Sequence, residues 1–497
     1  MIYTKLMKHQ TLVVNFIENT GTVYGGIFAA YGTGKTLIAL KITDDNSWNR
    51  ILVVSSKTSI EVTWPEQIEK HSNFRYVHLL GNEPYKLRSL KLGLKTSRQA
   101  EGRYHAAVNR TIFFLVNFDG VRNIYNELYA SDFDAVFIDE STKIKSPGAL
   151  RTKVLWALGK AIPYRFIMTG WPTTENVGEL YPQIKFLDYG KTFGNSFHAF
   201  QKTYFSNHNY RSFLRKGSEQ KIFKKIKPFC IRIENDVLAL PPAVYDLKML
   251  KPTKQQQELL DNFKTYFQLE FGRVKIDTTS VFTLLNKALQ ICDGFIQNNW
   301  FEGKKADEFI KCNKCKRHFD IVKIKKSACP RCGHEGYREV METPKDEVLV
   351  DLIDEIGSQN KVMIWAQYRF SVKKIARLLT KLGHNVLTLT GATENVSSVV
   401  KAFQFSKHNN VLVATQKKAS ESLNLTNCRY AIYYGNTWSN DLRQNSEARI
   451  RRKGSEKHSS IIYTDLVLKG TVENTVYDCL RKKKKTIVEL QKIFGEV

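Results

Sequence analysis

Residues 25–36 read GGIFAAYGTGKT and run directly into the apolar stretch LIAL. The last two glycines have no side chain to block an inward-turned backbone, so consecutive N–H groups can cradle phosphate oxygens at a helix N-terminus. Lys35 would then reach the β and γ phosphates, and the Thr36 hydroxyl would hold Mg²⁺. The usual pattern has a further glycine where this chain has Ala29, so a plain glycine turn is the alternative. We expect five consecutive residues to bind nucleotide: Gly32, Thr33, Gly34, Lys35 and Thr36.

The stretch DAVFIDE at 134–140 supplies the acidic partner that such a loop needs. An apolar strand that ends in two carboxylates is either an ordinary strand end or the part of a nucleotide hydrolase that binds the metal ion and the attacking water. Its position downstream of the glycine loop favours the hydrolase. Asp139 would contact Mg²⁺ through water, and Glu140 would polarise the attacking water.

The composition points to a polyanionic partner. The 497 residues include 76 Lys and Arg against 48 Asp and Glu, which gives a formal net charge of +28. Such an excess repels itself unless it faces nucleic acid or an anionic membrane, although a merely basic solvated surface is an alternative. The chain has neither a long apolar run nor a secretory N-terminal pattern. We expect a soluble intracellular protein, in the cytoplasm of a bacterial or phage-infected cell rather than in a nucleus.

Short β-branched runs alternate with helical stretches, a pattern typical of parallel sheets wound with helices. The pattern occurs twice, and only its first copy has a glycine loop, so we predict an α/β fold of two lobes with nucleotide in the cleft. Predicted strands of the first lobe, besides DAVFIDE, are RILVVSS (50–56), RTIFFLVNF (110–118) and YRFIMTG (164–170). Those of the second lobe are KVMIWAQY (361–368), NVLTLTG (385–391), NVLVATQ (410–416), RYAIYYGN (429–436) and SSIIYTDL (459–466).

Between the lobes, two C-x-x-C knuckles are separated by thirteen residues: Cys312 with Cys315, and Cys329 with Cys332. This spacing can place four thiolates tetrahedrally on Zn²⁺, as in a zinc ribbon; chance cysteines or redox pairs are the alternative. Such a ribbon could contact DNA or only brace the fold. The predicted domains are therefore a first lobe (1–190), a helical protrusion and linker (191–300), an inserted zinc ribbon (301–340) and a second lobe with a C-terminal helix (341–497).

In this order the motifs resemble those of the Swi/Snf-like family of superfamily two helicases and DNA translocases, and the resemblance covers most of the chain. The family's glycine loop also lacks the first glycine, which accounts for Ala29. The resemblance implies two RecA-like lobes in a compact, phage-type member. The stretches that carry it are LMKHQ (6–10), AAYGTGKT (29–36), VVSSKTSIEVTW (53–64), LVNFDGVR (115–122), DESTKIKSPGALRTKVLWAL (139–158), MTGWPTTENVGELYPQIKFL (168–187), ATQKKASESLNLTNCRYAIYYGNTWSN (414–440), ARIRRKG (448–454) and GTVENTVYDCLRKKK (470–484).

The resemblance also implies roles for single residues. Gln10 would contact adenine. Arg449 and Arg452, three apart on an expected helix, would present one face to the cleft. From there they would stabilise the charge of the γ-phosphoryl transition state when the cleft closes. Candidate DNA contacts are Lys57, Asn117, Thr169, Thr173, Thr415 and Asn424.

Two departures from the family pattern affect these expectations. Asn445 stands where the family usually has a glutamine, with Gln444 one position earlier, so the role of that glutamine is open. After the acidic pair the family often has a histidine that links the ATP site to the stretch 168–187, whereas this chain has Ser141 and Thr142. A threonine donates one hydrogen bond but carries no imidazolium charge. We therefore expect hydrolysis to survive and its coupling to DNA to differ.

The resemblance implies a DNA-dependent ATPase or helicase that uses ATP and Mg²⁺, and the cysteine spacing adds Zn²⁺. We expect a monomer, with forked, branched or duplex DNA as its partner and no membrane. Three hypotheses remain: a motor that unwinds or remodels forked or branched DNA, a double-strand translocase that displaces bound proteins, and a non-catalytic DNA-binding scaffold. The intact nucleotide motifs argue against the scaffold. No motif separates the first two.

Overall fold

The computed structural model describes residues 1–30, 32–101, 110–173, 176–208, 211–234, 237–262, 278–297, 301–302, 309–312, 318–320, 338–393, 395–406, 410–419 and 423–482. Within 301–320 it describes the backbone alone. The strands, in chain order, are β1 (Tyr24–Ala29), β2 (Arg50–Ser55), β3 (Arg75–Leu79), β4 (Ile112–Asn117), β5 (Ala135–Asp139), β6 (Tyr164–Thr169), β7 (Phe205–His208), β8 (Arg211–Leu214), β9 (Cys230–Ile233), β10 (Ala243–Leu250), β11 (Phe295–Gln297), β12 (Phe301–Glu302), β13 (Phe309–Cys312), β14 (His318–Asp320), β15 (Arg338–Val340), β16 (Val362–Ala366), β17 (Val386–Leu389), β18 (Val411–Thr415), β19 (Tyr430–Tyr433) and β20 (Ile461–Leu468).

Helices occupy most of the connections between these strands, as expected for parallel neighbours, which need a crossover. The α-helices in the described ranges include Lys8–Asn19, Lys35–Asp45, Trp64–His71, Glu83–Glu101, Phe118–Asn123, Tyr125–Tyr129, Leu150–Gly159, Leu180–Asp188, Phe197–Tyr204, Ser218–Ile226, Thr278–Cys292, Pro344–Ile356, Arg369–Lys381, Val396–Phe405, Gln416–Ala419 and Asn440–Ile450. A π-helical turn covers Ser59–Thr63, and short 3₁₀ turns cover Ser141–Ile144 and Val177–Glu179.

The first lobe is a seven-stranded sheet with the order β3-β4-β2-β5-β6-β1-β9, in which all neighbours run parallel. Helices cover both faces, which is why its strands read as continuous apolar runs instead of alternating patterns. In β4, for example, Phe113 and Phe114 point to opposite faces and both are fully buried. The strand β6 lies between β1 and β5, so the glycine loop and the acidic pair leave the same sheet edge on either side of it.

The second lobe is a six-stranded sheet with the order β10-β20-β19-β16-β18-β17, again parallel throughout. Its strands β16 and β18 are buried along their whole length. The two sheets with their helices confirm the predicted fold class, and all nine quoted strand stretches contain a strand.

The range 191–300, predicted as a helical protrusion and linker, also supplies strands to the sheets of both lobes. The strand β9 pairs with β1 at one edge of the first sheet. The strand β10 pairs with β20 along eight residues at the edge of the second sheet. The chain therefore crosses from the first lobe to the second between 233 and 243, and the rest of the range holds the helices and the hairpin of β7 and β8.

A buried cluster of charges attaches the helix Thr278–Cys292 to the second lobe. Lys345 donates to the Oδ1 atom of Asp293 at 3.2 Å and to a carboxylate oxygen of Glu473, and it is fully buried. Its third bond goes to the carbonyl oxygen of Tyr434 at 2.7 Å. Because the three charged residues come from separate parts of the chain, the cluster joins the linker, the sheet and the C-terminal region into one unit. Among the helices of the described ranges, none is long and apolar enough to cross a membrane.

Candidate nucleotide site in the cleft between the lobes

The glycine loop connects β1 to the helix Lys35–Asp45. Gly32 and Gly34 have φ angles of 86° and 85°, in the left-handed region that residues with a side chain rarely adopt. A methyl group on Gly34 would also lie 2.3 Å from the Nε2 atom of Gln10. Both glycines are therefore required by the backbone, and the loop delivers its N–H groups to the start of a helix, as an anion site needs.

Gln10 packs directly against this loop. It is 1% exposed, its Nε2 donates to the carbonyl oxygen of Thr33 at 2.9 Å, and its Oε1 accepts from the Met7 amide at 2.9 Å. The ring of His9 reaches the same Thr33 oxygen at 3.0 Å. Gln10 thus braces the loop, and its expected contact with adenine stays a prediction.

Lys35 lies at the first turn of the helix with its ammonium group turned back toward β1. Its Nζ donates to the carbonyl oxygen of Ala29 at 2.8 Å. Burial lowers the pKa of Lys35, while the carboxylates of Glu140 and Asp139 oppose that shift. The ammonium group therefore faces the acidic pair across the loop, where phosphate groups would lie. Thr36 follows on the same turn and is half-buried.

Asp139 ends β5, and its carboxylate is held on one side by three donors. Its Oδ2 accepts from the Ser55 hydroxyl at 3.0 Å, the Ser59 hydroxyl at 3.3 Å and the Trp64 indole at 3.1 Å. All three of these hydrogen bonds end on Oδ2, so the orientation of the carboxylate is fixed before any metal binds. A preoriented carboxylate and the hydroxyl of Thr36 are oxygen ligands of the kind Mg²⁺ prefers, so this pair fits the expected metal.

Glu140 adopts an unusual backbone conformation beside Asp139. Its φ of 60° and ψ of 54° place a residue with a side chain in the left-handed region. Burial raises the pKa of its carboxyl, the charge of Asp139 adds to that rise, and Lys35 and Arg449 oppose it. A carboxylate that accepts a proton more readily suits the role of polarising water.

The arginines of the second lobe reach the same cleft. Arg449 lies in the helix Asn440–Ile450, is 7% exposed and donates to the carbonyl oxygen of Asn445 at 3.2 Å. The expectation that Arg452 shares this helix was wrong, because the helix ends at Ile450 and Arg452 follows in a turn. That turn places Arg452 against the glycine loop: a methyl group on Gly32 would lie 3.2 Å from its Cβ. Burial and the charge of Arg449 lower the pKa of Arg452 to about 10.

A cavity of about 170 Å³ opens between the lobes at this point. The first lobe contributes Ser56, Ser59, Glu140 and Thr142 to its wall, and the second contributes Asn445 and Arg449. Of the five predicted catalytic residues, Glu140 and Arg449 line this cavity. Lys35, Asp139 and Arg452 lie near them, since the charges of Glu140, Asp139, Arg449 and Arg452 all act on the pKa of Lys35. Asn445, which replaces the usual glutamine, lies at this cavity, whereas Gln444 lines a different one.

Most of the candidate DNA contacts lie at or shortly after strand ends, whereas Asn424 lies in the connection between β18 and β19. Lys57 is exposed and pairs with Glu61 at 3.6 Å, and Asn424 is exposed. Asn117 ends β4 and is half-buried. The three threonines are buried, Thr169 at 1%, Thr173 at 8% and Thr415 at 7% exposure. Contact of these six residues with DNA stays a prediction.

Sequence reasoning missed the residues that hold the acidic pair. Ser55, Ser59 and Trp64 fall in VVSSKTSIEVTW, which the family resemblance had marked only for its likeness to a motif. Gln183 was missed as well, although it takes the hydrogen bond of Ser141. The signal available was a cluster of hydroxyl residues directly after the buried strand β2.

The proposed zinc ligands lie outside the described residues, except that Cys312 ends β13 as a backbone position. Among the described residues, no group of His, Cys, Asp and Glu could hold a metal ion by itself. The other four cysteines are free thiols: Cys230, Cys292, Cys428 and Cys479. The zinc ribbon stays a prediction.

Comparison with known protein families agrees with this architecture. The SNF2-related domain matches residues 9–295, and the helicase conserved C-terminal domain matches residues 344–454. Two such domains with a nucleotide cleft between them define the class of helicase-like ATPases. The first match covers more than half of the chain, and the chain therefore belongs to the SNF2-related family.

Individual relatives are distant. The chain is 25% identical over 211 residues to putative protein p41 of Acyrthosiphon pisum secondary endosymbiont phage 1, covering 40% of this chain and 42% of that one. It is 22% identical over 483 residues to an uncharacterized ATP-dependent helicase of Mycoplasma genitalium, covering 94% and 40%. The chain thus spans less than half the length of these two relatives. The Sulfolobus solfataricus SWI2/SNF2 ATPase core in complex with dsDNA aligns over 99% of this chain and 97% of that one, with a TM-score of 0.41 and 18% identity.

Proposed function

We propose that this chain is a DNA motor, which couples ATP hydrolysis to movement along DNA and to unwinding or remodelling of forked or branched structures. The observation that carries the proposal is the composite cleft. Lys35, Asp139 and Glu140 come from the first lobe, and Arg449 and Arg452 come from the second. A site split between two lobes is complete only when both are in place, so hydrolysis can be tied to their relative motion.

The chemistry of the cleft suits phosphoryl transfer. Lys35 and the backbone of the glycine loop would hold the β and γ phosphates, and Thr36 and Asp139 would hold Mg²⁺, which supplies charge neutralisation there. Glu140 would orient and polarise the attacking water. Arg449 would stabilise negative charge on the transferred phosphoryl group from the opposite wall.

The contact between Gly32 and Arg452 supports a role for cleft closure. Phosphates bound by the glycine loop would lie near two arginines of the second lobe, so ATP would favour the closed arrangement more than ADP would. Loss of the γ phosphate would remove that preference and let the lobes separate. Repetition of this cycle would advance the two lobes along a strand.

DNA is the polyanion that a chain with a net charge of +28 would bind. We propose that the contacts are mainly to phosphates, through the candidates Lys57, Asn117, Thr169, Thr173, Thr415 and Asn424, which predicts steep salt dependence and little sequence preference. The zinc ribbon formed by Cys312, Cys315, Cys329 and Cys332 would add to this surface or brace it. We propose a monomer, in the cytoplasm of a bacterial or phage-infected cell.

The experiment that tests the proposal measures ATP hydrolysis and strand displacement together on single-stranded, duplex, forked and four-way DNA, with Lys35→Ala as the inactive control. We expect DNA to stimulate hydrolysis and forked DNA to be unwound. Stimulation without displacement on any substrate would favour the double-strand translocase. Stimulation by RNA alone would refute DNA as the partner, and binding without any turnover would favour the scaffold.

A further inference from the structure

Ser141 follows the catalytic glutamate and is completely buried. Its hydroxyl donates to the Oε1 atom of Gln183 at 2.7 Å. Gln183 lies in the helix Leu180–Asp188 and is also completely buried. This bond connects the end of the acidic motif to a helix 42 positions later in the chain.

The other end of the Gln183 amide bonds to the backbone of the stretch 168–187. Its Nε2 donates to the carbonyl oxygen of Pro172 at 2.6 Å and to that of Glu179 at 2.9 Å. Two carbonyl oxygens accept only, so the nitrogen must face them and the oxygen must face Ser141. The orientation of the amide is thereby determined, and Ser141 has to be the donor.

At its start, this chain of hydrogen bonds adjoins the strained backbone of Glu140. A residue with a side chain keeps a φ of 60° only when its surroundings leave no alternative. One constraint is the short turn that follows, in which the Lys143 amide donates to the Glu140 carbonyl at 2.9 Å. The second constraint is the hydrogen bond from the Ser141 hydroxyl to Gln183, because it fixes the residue that directly follows Glu140.

At its far end, the chain of bonds reaches the strand from which the chain leaves for the second lobe. Pro172 is preceded by Trp171, and the guanidinium group of Arg232 lies 4.1 Å from the centre of the Trp171 ring. Arg232 belongs to β9 and forms an ion pair with Glu234, directly before the crossing. Movement of the stretch around Pro172 would therefore shift both Gln183 and the connection between the lobes.

We propose that Ser141 and Gln183 are positioning residues, which hold Glu140 in its left-handed conformation and make that conformation depend on the stretch around Pro172. The proposal rests on the function proposed above. The link runs through Ser141 and not through Thr142, because Thr142 lines the cavity between the lobes. Ser141 and Gln183 are completely buried and are not among the residues that line the cavity between the lobes, so the link would act on turnover and not on ATP binding.

Steady-state ATP hydrolysis by the full chain, with and without duplex DNA, tests this in Ser141→Ala and Gln183→Leu. We expect kcat in the presence of DNA to fall by roughly tenfold in each, as for other supporting partners of an active-site residue. The KM for ATP should stay within about twofold, because the glycine loop is untouched. Each variant should also lose most of the stimulation by DNA.

Two further variants distinguish a positioning role from a general loss of stability. Gln256→Leu is the matched control: Gln256 is completely buried and its Nε2 also donates to two backbone carbonyls, those of Ile291 at 2.8 Å and Cys292 at 3.3 Å, away from the cleft. It should lose thermal stability as Gln183→Leu does and keep its DNA-stimulated kcat. The double variant Ser141→Ala/Gln183→Leu leaves no serine or glutamine unpaired at this site, so it should be more stable than Gln183→Leu while its kcat stays as low.

Wild-type kcat in both single variants, or an equal loss of kcat in Gln256→Leu, would overturn the positioning role alone. Additive losses in the double variant would do the same, because two residues of one link act as a unit. A wild-type chain that hydrolyses no ATP with any DNA would instead refute the proposed function. The two failures are therefore distinguishable in one data set.

Discussion

Trp64→Phe would remove one hydrogen bond from the carboxylate of Asp139 and keep a large buried ring. The indole of Trp64 donates to Oδ2 at 3.1 Å, and the hydroxyls of Ser55 and Ser59 would remain as donors at 3.0 and 3.3 Å. A hydrogen bond to a charged group contributes about 1.5–3 kcal/mol. If half or more of that energy orients the carboxylate, the apparent affinity for Mg²⁺ should weaken by roughly tenfold, since tenfold corresponds to about 1.4 kcal/mol.

The assay is ATP hydrolysis with saturating DNA over a Mg²⁺ titration. We expect the half-maximal Mg²⁺ concentration to rise, with hydrolysis largely recovered at high Mg²⁺. Trp365→Phe is the control, because Trp365 is equally buried and its indole nitrogen has no hydrogen-bond partner within the described ranges. Its Mg²⁺ dependence should equal that of the wild type. Equal Mg²⁺ dependence in Trp64→Phe and the wild type would refute the argument that the donor set preorients Asp139.

For three further substitutions the structure predicts the direction of the effect. Lys345→Met should lower the free energy of unfolding by about 3–5 kcal/mol, since it leaves buried carboxylates without their cation. Burial already raises the pKa of Glu473 and loss of the lysine raises it further, so unfolding curves should show stability regained as pH falls through that pKa; a pH-independent deficit would contradict this. Gly32→Ala should abolish most ATP hydrolysis, because φ is 86° there and the methyl group would lie 3.2 Å from the Cβ of Arg452; near-normal turnover would show that the loop and the arginine separate freely. Cys312→Ser should lower zinc content by elemental analysis, and unchanged stoichiometry would remove the proposed ribbon.

Most strands in the interior of the two large sheets were predictable from the sequence, with β1 as the exception. Interior strands such as β2 and β16 are apolar on both faces, and that leaves a continuous run in the sequence. The strands β9 and β10 were missed because each lies at a sheet edge with one neighbour. In β10 every position is exposed or half-buried, so its sequence AVYDLKML carries no such run.

The catalytic residues of the site were predictable from the sequence, but the residues that hold them in position were not. Lys35 and Asp139 occur in local motifs whose spacing is set by one loop or one strand. The role of Trp64 depends on β2 lying beside β5, and that of Gln183 on a helix packing under the acidic turn. Such contacts are made by tertiary packing, which leaves no periodicity in the sequence. The sequence predicted Arg452 on the helix because no Gly or Pro that would end a helix precedes it in this stretch.

Arg449→Ala tests most directly whether the two lobes form one catalytic site. The measurement is DNA-stimulated ATP hydrolysis beside equilibrium binding of a fluorescent ATP analogue. An arginine that stabilises the phosphoryl transition state from the opposite lobe contributes on the order of 10³-fold to turnover. We predict that hydrolysis falls by about that factor while binding changes by less than about tenfold. Hydrolysis at the wild-type rate would contradict the composite site.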